Sequence, residues 1–179
     1  KAYATVSSDH PDAPALTVLG GLLRNGFLHR AIREQGGAYG GGASQDGGIG
    51  VFRFYSYRDP RFGETLDDFD ASIAWLLSNT FSDEALDESV LGVIAALDKP
   101  ASPAGACKQH FHNGLFGRTH ADREAFRRAV LSSTRDDVLR VAQRYLKPAD
   151  ASIAVIAPKG TDRKEASLVS ELGLQLNKI

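Results

Sequence analysis

At 179 residues and a formal net charge of −1, the chain is sized for one domain, 1–179, and has no field that would gather nucleic acid or an anionic membrane. Its hydrophobic fraction of 42% and charged fraction of 24% are those of a globular domain with a sizeable core. The single cysteine, Cys107, excludes an intramolecular disulfide and a cysteine-built zinc cage, and points to a reducing compartment or an organelle interior.

Ala2–Val6 reads as a short strand that stops at Ser7-Ser8-Asp9. No apolar run approaches the length of a membrane span, and Lys1–Val6 lacks the charged-then-apolar order of a signal peptide. The chain starts at Lys1 and contains no methionine, so it is expected to be a fragment or a processed product. From Pro11 and Pro14 a helical pattern opens, with Leu16, Leu19, Leu23 and Phe27 on one stripe. Asn25-Gly26 is expected to kink that helix, which continues through Leu28 and Ile32 to about Glu34. Gly36-Gly37 then supplies a C-cap, because glycine accepts the left-handed conformation.

Two strands follow, Tyr39–Gln45 and Ile49–Tyr57, joined by the hairpin signal Asp46-Gly47-Gly48. The second is rich in β-formers (Val51, Phe52, Phe54, Tyr55, Tyr57); the first has Gly40, Gly41 and Gly42 in a row. Asp59-Pro60 ends the hairpin. Phe62, Leu66, Phe69, Ile73 and Leu77 make an amphipathic helix. Leu86, Val90, Val93, Ile94 and Leu97 make another, stopped at Lys99-Pro100. Further helices are expected over about Gly105–Phe116 and Ala121–Leu131. Thr134 and Asp137 form a capping box heading a helix through Val138, Val141 and Tyr145, closed by Pro148. Ser152–Ala157 reads as a central strand, and Glu165–Leu172 as a last helix. A hairpin followed by consecutive helices predicts an α+β fold: a two-layer sandwich with one mostly antiparallel sheet and helices on one face.

No constellation for metal or nucleophilic chemistry emerges. His110 and His112 are two apart, about 200° around a helix, and cannot share an ion. His29 and Glu34, five apart, are expected on different helix faces. Neither H-E-x-x-H, H-x-x-E-H nor G-x-S-x-G occurs. Cys107, His110 and His112 receive no role.

The stretch Gln35-Gly36-Gly37-Ala38-Tyr39-Gly40-Gly41-Gly42 fits neither phosphate-loop template, because its order is helix, glycines, strand. It reads as a helix cap with an edge strand, as flexible filler, or, the preferred reading, as a strand edge left bare for an extended peptide to pair along. In that reading Gly36-Gly37 folds the chain so that the tips of Arg33 and Tyr39 meet over one cleft. A guanidinium and a phenol are donors of the kind an amide hydrolase needs for a developing oxyanion.

The run Leu22–Gly40, with its Arg33-Glu34-Gln35-Gly36-Gly37-Ala38-Tyr39-Gly40, resembles the C-terminal domain of pitrilysin/insulinase-type zinc metallopeptidases, in the presequence-protease branch. Ser56-Tyr57-Arg58-Asp59-Pro60-Arg61 and the stretch from Asp98-Lys99-Pro100 through Phe116-Gly117-Arg118-Thr119 resemble it too. The resemblance implies a four-domain protein that closes around a chamber and degrades short unfolded peptides. Zinc and the catalytic glutamate would sit in the first domain. Arg33 and Tyr39, by position in the motif, would hold the peptide and stabilise the transition state, with Gly36, Gly37 and Gly40 at the substrate-binding segment. Partners would be unfolded peptides and the other domains of the polypeptide; the compartment would be bacterial cytoplasm, or alternatively a mitochondrial or plastid interior. The rival implication is a catalytically inactive scaffold of the same superfamily. A nucleotide-binding module would require saturable nucleotide binding.

Overall fold

The structure, a computed structural model, describes residues 1–158, 160, 161, 166–175 and 177. Strand β1 (Ala2–Ala4) leads into α1 (Ala13–Leu23), which continues without a break into a π-helical segment, Arg24–Gln35. The hairpin β2 (Gly40–Asp46) and β3 (Val51–Tyr57) follows. Then come α2 (Gly63–Leu77), α3 (Asp83–Leu97), α4 (Pro103–Leu115), α5 (His120–Leu131) and α6 (Arg135–Tyr145). A 3-10 turn (Pro148–Asp150) and α7 (Ala166–Glu171) complete the described elements. The fold is α+β, as expected. Among the described residues, no helix is long and apolar enough to cross a membrane.

The sheet has the order β1-β3-β2 and is antiparallel throughout. Strand alternation sends Phe52 and Phe54 into the core and leaves Arg53, Tyr55 and Tyr57 exposed. The helices cover the phenylalanine face. There α1 and the π segment lie on β2, Phe69 of α2 meets Phe54 at 5.3 Å between ring centroids, and α3, α5 and α6 pack against α1. Leu16, Leu19, Leu22 and Leu23 of α1 are fully buried between these layers. Burying each such leucine contributes about 2 kcal/mol relative to leaving it in water.

Local signals place most boundaries. Asp137 completes the capping box at Thr134, and Thr119 with Asp122 forms a second one heading α5. Departures from the sequence reading have physical causes. The helix runs unbroken through Gly26, where a side chain would press to 2.5 Å on the Trp75 ring, so the glycine makes room for Trp75. The hairpin turn is four residues long, with Asp46 paired to Val51. Ile49 is 70% exposed in that turn, and Gly50 supplies a positive φ of 66°.

Ser152–Ala157 is not a central strand. Ser152 makes a single antiparallel bridge with Ala2, through two 2.8 Å hydrogen bonds, and Ile156 is 89% exposed. The last helix spans Ala166–Glu171 where described; Glu165, its expected start, lies outside the described residues.

Candidate functional site

A cleft of about 510 Å³ opens where the π segment faces the free edge of β2. The π segment contributes Arg24, Asn25, His29 and Arg33; Tyr39, Gly40 and Gly41 come from the start of β2, and Tyr55 and Tyr57 from the exposed face of β3. The helix type decides which residues meet. A π-helix bonds residue i to i+5, so side chains five apart, or nine apart over roughly two turns, share a face. Arg24 and Arg33 therefore line one wall. His29 and Glu34, expected on different faces, are in contact, with Nδ1 3.3 Å from Oε1; the wider π turn overturns the α-helical expectation.

Arg33 is exposed and donates from Nη1 to His29 Nε2 at 3.2 Å. A guanidinium has no acceptor, so Nε2 must accept and the imidazole proton sits on Nδ1, the nitrogen 3.3 Å from the Glu34 carboxylate. The sequence Glu34–His29–Arg33 is thus a chain of contacts that orients the guanidinium. Tyr39 is 69% exposed; its ring meets the Tyr57 ring edge to face at 6.0 Å and 77°. Arg58 lies beside both rings, 5.7 Å from the centroid of Tyr39 and 5.4 Å from that of Tyr57.

The turn between Arg33 and Tyr39 is built from two glycines with different tasks. Gly37 carries the positive φ of 77°, and its N–H donates to the Arg33 carbonyl at 3.2 Å. Gly36 has an ordinary backbone conformation but no room for a side chain, since a Cβ would overlap the Arg61 guanidinium and come within 2.6 Å of the Ile32 carbonyl oxygen. Arg61 in turn pairs with Asp68 at 2.8 Å. Gly36 and Gly37 shape the approach to the cleft, whereas Gly40 lines it. A Cβ on Gly40 would meet nothing within 4 Å, so the cleft is open over that face of the strand. One on Gly41 would come within 2.9 Å of Ile32 Cγ2 and 3.1 Å of the Tyr55 carbonyl oxygen.

Sequence reasoning named Arg33, Tyr39 and Gly40 and missed Arg24, Asn25, His29, Gly41, Tyr55 and Tyr57, which line the same cleft. Strand alternation in Val51–Tyr57 is a signal for the two tyrosines. Nothing local announces π spacing, so Arg24 and His29 had no signal. His110 and His112 lie on α4, where both are exposed, as are Cys107, Phe111, Leu115 and Phe116.

The donor set does not suit zinc. The cleft offers one imidazole, already engaged on both nitrogens, with guanidinium and phenol groups that are not zinc ligands at ordinary pH. Among the described residues, no group of three or more His, Cys, Asp or Glu side chains is placed to hold a metal ion. The arrangement can donate hydrogen bonds along an extended chain.

Comparison with known proteins gives a consistent assignment. The sequence profile of the PreP C-terminal domain matches residues 8–158. The mitochondrial presequence protease of Danio rerio is 38% identical over 168 residues, which is 92% of this chain and 16% of that protein. That of Yarrowia lipolytica is 40% identical over 150 residues, 83% of this chain and 15% of that protein. The chain thus spans about a sixth of the length of these curated relatives.

Among solved structures, an inactive peptidase domain from Bordetella parapertussis superposes with a TM-score of 0.73 at 21% identity, covering 88% of this chain and 90% of that one. Pitrilysin superposes with a TM-score of 0.61 at 12% identity, covering 89% of this chain and 19% of that one. The structural likenesses establish the fold, and the sequence matches establish descent: this chain belongs to the family of presequence protease C-terminal domains.

Proposed function

We propose that this chain is the substrate-binding domain of a zinc metalloendopeptidase that degrades short unfolded peptides in a closed, four-domain chamber. Arg33 donates to a carbonyl oxygen of the bound peptide, and the Tyr39 hydroxyl donates to the oxyanion that develops as the amide is attacked. One observation carries this reading: a helix end and a strand start, joined through Gly36-Gly37, bring both side chains to one cleft along an unpaired strand edge. The bare Gly40 supports strand addition by an extended peptide.

Zinc and the glutamate that activates water belong to another domain of the same polypeptide, since this donor set binds and does not hydrolyse. The exposed apolar residues of α4, Phe111 and Leu115, with Phe116 after them, support a surface turned toward those other domains. Of the three compartments considered, the names of the curated relatives favour the mitochondrial one. A second reading, an inactive scaffold, is favoured by the inactive peptidase domain that shares this fold.

The deciding experiment is peptide hydrolysis by the full-length parent at saturating zinc, wild type against Tyr39→Phe. The substitution removes one exposed hydroxyl, and a loss of about a hundredfold or more in turnover is expected for an oxyanion donor. Unchanged turnover would reject the catalytic role of Tyr39. An intact H-x-x-E-H in the parent's first domain separates the enzyme from the scaffold.

A further inference from the structure

We propose that Arg58 is the positioning residue for Tyr39, holding the phenol at the angle from which it serves the bound peptide; this rests on the role given to Tyr39 above. The last pair of the β2–β3 ladder is Gly40 with Tyr57. One step beyond it Tyr39 and Arg58 face each other, and the Tyr39 N–H donates to the Arg58 carbonyl at 3.4 Å. Arg58 holds φ at 48°, in the left-handed region where non-glycine residues are uncommon. Glycine would hold that turn without strain, so what arginine contributes at this position is its side chain.

That side chain has a specific task available. The guanidinium carbon stands 5.7 Å from the Tyr39 ring centroid and 5.4 Å from that of Tyr57, within cation–π range. The neighbouring carboxylate, Asp59, is occupied elsewhere: it accepts from the Arg61 backbone N–H at 3.0 Å and from the Thr65 hydroxyl at 2.7 Å. Tyr39 is 69% exposed, so core packing does not fix its ring. The Tyr57 edge and the Arg58 guanidinium do. A phenol already held in place loses less freedom when the peptide arrives, and hydrogen-bond donors act best when pre-oriented. The tripeptide Tyr57-Arg58-Asp59 then works as a unit: ring wall, guide and turn anchor.

The test is a double-mutant cycle in the full-length parent, reading kcat and KM on an unfolded peptide for Tyr39→Phe, Arg58→Gly and both together, with Arg58→Lys as the conservative variant. Arg58→Gly suits the left-handed backbone, so the folded amount is expected to hold. It is expected to lower kcat by about tenfold, the scale of a well-placed cation–π contact. KM should stay within about twofold, and Arg58→Lys should restore part of the loss. In the Tyr39→Phe background Arg58→Gly should add nothing further.

An additive loss would overturn the proposal, placing Arg58 on the peptide itself. An inert Arg58→Gly beside a damaging Tyr39→Phe would overturn positioning alone. An inert Tyr39→Phe would overturn the role of Tyr39 and the positioning with it, a pattern distinct from the other two.

Discussion

His29 and Glu34, five residues apart in the chain, meet at 3.3 Å, and the same imidazole accepts from Arg33 at 3.2 Å. The pairing exists because the segment is π-helical, and it makes His29 the support of the Arg33 guanidinium. His29→Ala is therefore expected to raise KM for peptide by about threefold, the scale of one exposed charge-assisted contact, with kcat nearly unchanged. Steady-state kinetics of the full-length parent checks this; a fall in kcat at constant KM would contradict it.

Adjacent glycines on β2 should respond differently. Gly40 faces open space, whereas a side chain on Gly41 meets Ile32 and the Tyr55 carbonyl oxygen. Gly41→Val is expected to destabilise the fold by about 1–3 kcal/mol through overpacking. Gly40→Val should leave thermal stability nearly unchanged and weaken peptide binding by filling the cleft. Thermal unfolding and peptide affinity, measured on both variants, separate the two effects.

Asp12 is buried and is contacted by Arg140 at 2.6 Å, Arg144 at 3.1 Å and the Tyr145 hydroxyl at 2.7 Å, tying the start of α1 to α6. Burial pushes its carboxyl upward, but hydrogen bonds from Arg140 and Tyr145 and the nearby positive charge outweigh that and hold it below the usual carboxylate range. A carboxylate lowered on folding stabilises the fold above its unfolded pKa of about 4, and that contribution fades as pH falls through the folded value. Asp12→Asn is expected to lose about 2 kcal/mol at neutral pH. Its deficit relative to wild type should begin to shrink below about pH 4, where the unfolded carboxyl takes up a proton, and close as pH falls through the lower folded value. Urea unfolding at several pH values tests both statements.

Tyr3 is 1% exposed and packs edge to face on Phe54 at 6.0 Å, yet its hydroxyl has no hydrogen-bond partner among the described residues. Burial, with the Asp70 charge adding to it, pushes the phenol pKa up, so it stays neutral at all ordinary pH. Tyr3→Phe removes an unsatisfied polar atom and keeps the ring, and is expected to raise stability by about 1 kcal/mol. A destabilised variant in thermal unfolding would show that the hydroxyl is bonded in solution.

Much of this protein was legible in its sequence because the forces concerned act over a few residues. The leucine stripe of α1, the alternation in Val51–Tyr57, the capping box at Thr134 and the left-handed Gly37 each follow from side-chain periodicity or one backbone dihedral. The motif around Arg33 and Tyr39 was readable for the same reason, as helix end, glycine turn and strand start are consecutive.

What only the tertiary structure decided depends on partners distant in sequence. Trp75 needs the bare backbone of Gly26, and Arg61 needs that of Gly36. The widening of the helix from α to π between Arg24 and Gln35 brings Arg24 and His29 beside Arg33, a choice no residue in that segment signals. Ser152–Ala157 has the apolar composition of a buried strand, yet among the described residues its bridge is at Ser152 alone, because pairing depends on a partner strand and not on composition. Periodicity states which face is apolar; only the packed chain determines what that face meets.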